Sequence, residues 1–185
     1  MANRLQKAAA TVVAAGAMLI APQTVSGAGT QVLTHTSGSH VRSNSAAILT
    51  LIQQSTERSA TFRELVETID ASDTIVYVRE GRCGAGRRAC FYAVSSSAGR
   101  RTLWLRVDTR ENVEWDLMGS IGHELRHALE VLDDTSVTTN ARMFLFYQRI
   151  GYRGTGSGME TTAAVNAGND VRAEVQAFNR RAKAD

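Results

Sequence analysis

Ile121-Gly122-His123-Glu124-Leu125-Arg126-His127-Ala128-Leu129-Glu130-Val131-Leu132-Asp133 decides how the rest of the chain is read. Leu117, Ile121, Leu125, Ala128 and Leu132 recur at steps of three and four, the period of a helix with one apolar stripe. On that helix His123 and His127 stand one turn apart, about 40° round the axis, so both imidazoles can reach one metal ion. The stripe is centred about 160° from His123, which predicts a metal face opposite the core. Glu130 shares the histidine face. Glu124 lies about 100° round, on the flank, where it can touch a water on the ion without ligating it.

His123-Glu124-x-x-His127 is the spacing of a zinc site whose Glu acts as general base. The bland alternative is three polar residues on a solvated helix face, and the opposed apolar stripe favours the metal. The cofactor expected is therefore one zinc ion, with Glu124 catalytic and His123 and His127 as ligands. A peptide or protein is the substrate class that this motif implies.

The chain has 185 residues and is 43% hydrophobic, enough for one domain with a real core. Residues 1–28 read as a secretory signal peptide. Arg4 and Lys7 give a charged start, Ala8 to Ile20 is apolar and uncharged, and Val25-Ser-Gly-Ala28 offers small residues for cleavage. The apolar run is short for a bilayer, so no stable membrane span is expected after cleavage, and the protein is read as exported to the periplasm or the medium. Cleavage would remove two basic residues and lower the net charge from +3 to +1. No basic stripe with interleaved aromatics is legible along the chain, so no nucleic-acid partner is expected. In an exported protein, Cys83 and Cys90 read as a disulfide closing a small loop.

Residues 29–44, rich in Gly, Ser and Thr, read as a linker or a weak strand, and residues 45–185 as a single domain. His35 and His40 fall in that linker and read as solvated. Ala46–Thr56 predicts a helix. Thr61-Phe-Arg-Glu64 spells a capping box ahead of Phe62, Leu65, Val66 and Ile69. Residues 74–79, 89–95 and 102–108 have strand chemistry. Three antiparallel strands packed on helices, with the motif helix central, make an α+β domain. Asp108–Glu111 reads as the start of the motif helix. Residues 139–150 predict an apolar helix. Gly151-Tyr-Arg-Gly-Thr-Gly-Ser-Gly158 is a loop, and a last helix runs from Met159, with an interruption possible at Gly168.

Catalytic zinc takes three protein ligands and keeps one position open. Glu160, at the head of the last helix, is the preferred third ligand. Glu130 lies about 10.5 Å along the axis from His123, which suits it better to orienting His127 than to ligation. Glu174 is a further alternative. So is Asp133, although Glu130 stands where a turn-making Gly would be needed to bring Asp133 back. Tyr147, Tyr152 and Arg126 are candidate oxyanion donors.

Ile121–Val131, together with Met159-Glu-Thr-Thr-Ala-Ala-Val165, resembles a group of small exported bacterial zincin-like proteins of unassigned function. These carry G-H-E-L-x-H-A-x-E-V and a later aromatic-[ED]-T-x-A-A segment. The similarity spans about residues 45–178; Met159 at the aromatic position and the cysteine loop depart from it. The resemblance implies a zincin-like core and a gluzincin-type ligand set with Glu160, while naming no substrate. In zincins the strand before the motif helix lines the cleft and pairs with an extended peptide, and residues 102–108 are the corresponding strand. The function expected is an exported zinc-dependent hydrolase, a metallopeptidase first. The alternative is a non-catalytic zinc-binding or cell-envelope interaction protein.

Overall fold

The structure, a computed structural model, describes residues 38–84, 86–110, 113–154 and 158–184. The signal segment, most of the linker including His35, and Glu111 lie outside the described residues. Among the described residues, five helices and two small sheets make up an α+β domain. They are β1 (Val41–Arg42), α1 (Ala46–Arg58), α2 (Ala60–Asp70), β2 (Ile75–Glu80), β3 (Ala89–Ser97), β4 (Arg100–Val107), α3 (Glu114–Asp133), α4 (Asn140–Ile150), β5 (Tyr152–Arg153), β6 (Met159–Glu160) and α5 (Thr162–Arg181).

The main sheet corrects the three-stranded antiparallel expectation. It has four strands in the order β1-β2-β4-β3, with β1–β2 and β2–β4 parallel and only β3–β4 antiparallel. Val41 and Arg42, inside the expected linker, supply the extra strand. β4 sits inside because Leu103, Leu105 and Val107 are its alternate residues and all are fully buried. β3 runs out into Ser95-Ser-Ser97, which are exposed, so it takes one edge, where water can solvate them. Residues 102–107 are therefore flanked on both sides and have no free edge to offer a substrate; β3 and the two-residue β1 are the edge strands instead. The Cys83–Cys90 disulfide closes the β2–β3 connection.

Phe62, Leu65, Val66 and Ile69 of α2 are buried as their spacing predicts, with Ile48 of α1 and Met118, Ile121 and Leu125 of α3. The capping box is not used. Ser59 breaks the backbone between α1 and α2 and caps α2 through Phe62 N. The carboxylate expected from Glu64 comes instead from Glu174 on α5, which accepts from Thr61 N and from the hydroxyls of Ser59 and Thr61. A negative charge at that helix end is favourable.

The histidine side of α3 is not an open face opposite the core, as the stripe alone suggested. Glu124, His127 and Glu130 are all buried. α5 crosses α3 closely, and small residues allow it: a Cβ on Gly119 would stand 2.8 Å from the Gly168 carbonyl oxygen, and one on Gly168 would stand 3.0 Å from His123 Cβ. Gly168 thus does not interrupt α5, which is continuous; it is the contact point. Gly119→Ala should destabilise the fold by about 1–3 kcal/mol, because a backbone oxygen must give way rather than a side-chain tip. Urea unfolding measures this, and an unchanged midpoint would show that the helices are not so tightly apposed.

Candidate metal centre

Two segments build the centre. α3 presents His123 and His127 one turn apart. The β5–β6 hairpin turns the chain back so that Glu160, on β6, faces them. Glu160 therefore precedes α5 rather than opening it; Thr161 is the N-cap, in extended conformation, and accepts from Ala164 N. Glycines let the hairpin close: a Cβ on Gly154 would stand 2.3 Å from Glu160 Cγ, and one on Gly151 would stand 2.8 Å from the Tyr147 carbonyl oxygen.

Glu160 Oε2 lies 2.9 Å from His123 Nε2 and 3.8 Å from His127 Nε2. The ligand atoms of this group all lie within 4.8 Å of one another. A tetrahedral ion about 2.1 Å from each donor would hold the donors about 3.4 Å apart, so the spacings bracket what an ion needs. Glu160 Oε2 is moreover buried without a hydrogen-bond partner, with the His123 imidazole as its near neighbour. An orphaned carboxylate oxygen facing two imidazole nitrogens is a donor set that suits a metal ion. His123, His127 and Glu160 form a group that can hold a metal ion.

His127 is braced from two sides. His127 Nδ1 is 2.9 Å from Glu130 Oε2, which leaves Nε2 turned to Glu160. Glu130 Oε1 accepts from the Thr161 hydroxyl at 2.5 Å, and the buried Tyr147 hydroxyl donates to the His127 carbonyl at 2.8 Å. One turn after His127, Glu130 thus orients that imidazole instead of ligating. Thr161 ties α3 to the residue next to the third donor. Glu130→Ala should weaken metal binding about 10–100-fold. Competition with a chromophoric chelator would read the loss, and unaltered affinity would make Glu130 a packing residue only.

The charges follow from these contacts. His123 and His127 hold the Glu160 carboxyl down to about 2. Burial disfavours a charged His127, but Glu130 and Glu160 outweigh it and raise its pKa from 6.5 to about 9. Metal must displace that proton. At pH 7, binding should release about one proton per ion, and affinity should drop about tenfold for each unit of pH lost below about 9. The same shift stabilises the metal-free protein below pH 6.5, and that stabilisation is lost as the pH climbs through about 9. Calorimetry in buffers of different ionisation enthalpy counts the protons; a count of zero would contradict the His127–Glu130–Glu160 cluster.

Glu124 lies beside this group on the flank of α3. Its Oε2 accepts from Phe91 N at 2.6 Å, on β3, where the pairing with β4 slips between Phe91 and Ala93. Such a bulge re-aims the edge backbone, here putting an amide against Glu124. Burial pushes the Glu124 carboxyl up, with the two imidazoles and the Phe91 amide opposing. Three residues after Phe91, Val94 N donates to Asn140 Oδ1 of α4 at 2.7 Å, so both of these edge amides are already occupied.

No family model matches the chain, and no curated protein or solved structure matches it. The centre is therefore read from its own chemistry.

The remaining candidates fall elsewhere. Glu174 holds the start of α2, and Asp133 is exposed at the last position of α3. His40 is half-buried, its amide bound to Asp70. Tyr147 spends its hydroxyl on His127, whereas Tyr152 is exposed directly opposite Glu160 across the hairpin, on the same side of the ribbon. Sequence reasoning missed Thr161, the Phe91 amide and Arg87. Arg87, on the disulfide loop, has a buried Nε without a partner and comes within 2.7 Å of where a side chain on Gly158 would begin. Thr161 had a signal, since a Thr before Thr-Ala-Ala reads as a cap.

Proposed function

We propose that this protein is an exported zinc-dependent hydrolase, a metallopeptidase first, with a zincin-like centre of His123, His127 and Glu160 and with Glu124 as general base. One observation carries the proposal: two imidazole nitrogens and an orphaned carboxylate oxygen converge, with a second, buried carboxylate beside them. A zinc ion there would polarise a carbonyl and lower the pKa of a water. Glu124, its proton affinity raised by burial, would take a proton from the attacking water as its oxygen bonds to the carbonyl carbon, and would pass it to the amine nitrogen as the C–N bond breaks. To act, it must exchange the Phe91 amide for the reacting water. Tyr152, exposed opposite Glu160, would offer its hydroxyl to the developing oxyanion. Export is supported by the Cys83–Cys90 disulfide and by the charged, then apolar, start of the chain.

A second reading, a metal-binding protein without catalysis, is favoured by the occupied amides of Phe91 and Val94, which deny an extended peptide two bonds on the edge strand. Elemental analysis of metal-replete protein, with hydrolysis of casein and a peptide library, separates the two. The proposal expects one zinc per chain and hydrolysis abolished by a chelator. Zinc without hydrolysis selects the second reading, and the absence of bound metal refutes both.

A further inference from the structure

The main sheet has two unlike faces. Val76, Val78, Leu103, Leu105 and Val107 point to the helices and are fully buried. Side chains alternate across a strand, so Arg42, Tyr77, Arg79, Trp104 and Arg106 leave by the other face, where each is half-buried or exposed. Tyr92, at the bulge, joins them through its contact with Arg106. All ring and guanidinium contacts found here are between strand residues. Arg79 stacks 4.5 Å over Trp104 and 5.5 Å from Tyr77, and Arg106 stacks 4.2 Å over Tyr92. Trp104 is itself fixed by donating to Ser95 Oγ at 2.9 Å.

Arg79 and Arg106 are direct partners across β2 and β4, strands about 4.8 Å apart. Like charges so placed repel. Neither makes an ion pair among the described residues. Glu80, the acid on β2, is turned to the helix side, where it accepts from the Ser45 hydroxyl. Ring faces steady the two guanidiniums without neutralising them. Arg106 Nη1 donates to the Arg82 carbonyl at 3.2 Å; the other guanidinium donors of the pair are left to hold a planar carboxylate. Arg42, beside Tyr77 on β1, extends the basic row to the sheet edge.

We propose that this open face binds an acidic polysaccharide, a chain of sugar units each bearing a carboxylate. The repeated anion answers the uncompensated arginine pair, and an open face of four strands gives an extended polymer its track. Single-stranded nucleic acid fits less well, because the guanidiniums already cover faces of Trp104 and Tyr92 where bases would stack. The Cys83–Cys90 disulfide also belongs to an oxidising compartment, where extracellular glycans are met. An acidic peptide adding as a strand would use the β3 edge, whose Phe91 and Val94 amides are occupied. None of the metal-centre residues takes part, so this binding stands or falls apart from hydrolysis.

Isothermal titration of the full chain with polygalacturonate oligomers tests the proposal. Saturable binding that weakens with salt is expected, with none to neutral dextran. The Arg79→Gln/Arg106→Gln double variant should bind roughly tenfold more weakly or worse, at an unchanged thermal midpoint. Arg79→Lys/Arg106→Lys, which keeps the charge but not the fork, should also bind more weakly, and it serves as the test if the Gln pair folds poorly. The proposal is overturned by absence of saturable binding, by undiminished binding in a folded variant pair, or by tighter binding of an oligothymidylate. A dimer that the Gln pair converts to monomer would overturn it too, by assigning the face to a second copy.

Discussion

Glu124→Gln should keep its zinc and lose roughly 10²–10⁴-fold in peptide hydrolysis, the usual contribution of a positioned general base. The separation is expected because Glu124 is not in the donor group of His123, His127 and Glu160. The substitution conserves shape and an acceptor oxygen, so the hydrogen bond from Phe91 N can persist. What it removes is the ability to take a proton. Burial already works against the charged form of Glu124, so a neutral amide there should not lower the thermal midpoint. Metal content, kcat/KM and thermal melting on one preparation read all three quantities. A fully active variant would end the assignment of Glu124 as base. A variant that lost its metal would mean that Glu124 helps hold the ion.

The second large effect is on the metal itself. Glu160→Ala should lower zinc affinity by more than about a hundredfold, beyond the 10–100-fold typical of a residue that only orients a ligand. It removes the carboxylate oxygen that stands 2.9 Å from His123 Nε2 and 3.8 Å from His127 Nε2. Glu174→Ala is the contrasting substitution. Glu174 anchors the first turn of α2 through Ser59 and Thr61, so its loss should cost about 1–3 kcal/mol of stability with zinc affinity unchanged. Equilibrium competition for zinc and urea unfolding of both variants give a crossed pattern. If Glu160→Ala binds zinc like the parent, the third donor lies elsewhere and the centre has been misassigned.

Much of this centre was legible in the chain itself. A spacing of four on one helix brings His123 and His127 together whatever surrounds them, and a spacing of three puts Glu130 against His127. Those relations need only the helical period. The choice of Glu160 over Glu174 was open from spacing alone, because both are distant acids near helices. The hairpin closed by Gly151 and Gly154 turns one toward the histidines, while the position of α5 sends the other to α2. The open sheet face was illegible for a related reason. Arg79, Trp104, Arg106 and Tyr92 are scattered in sequence and become neighbours only through the β2–β4–β3 register.

By itself the sequence determined the local periodicities: the amphipathic motif helix, the apolar alternation of β4, and the placement of a carboxylate beside the first histidine. These follow from backbone geometry that each segment carries with it. Only the tertiary structure decided the mixed order β1-β2-β4-β3, the burial of the histidine side of α3 under α5, and the pairing of Glu124 with the Phe91 amide. The physical reason is that such contacts join residues far apart in the chain. Their selection depends on which strand buries the most apolar surface and on which glycines let helices approach, and neither is a property of any one segment.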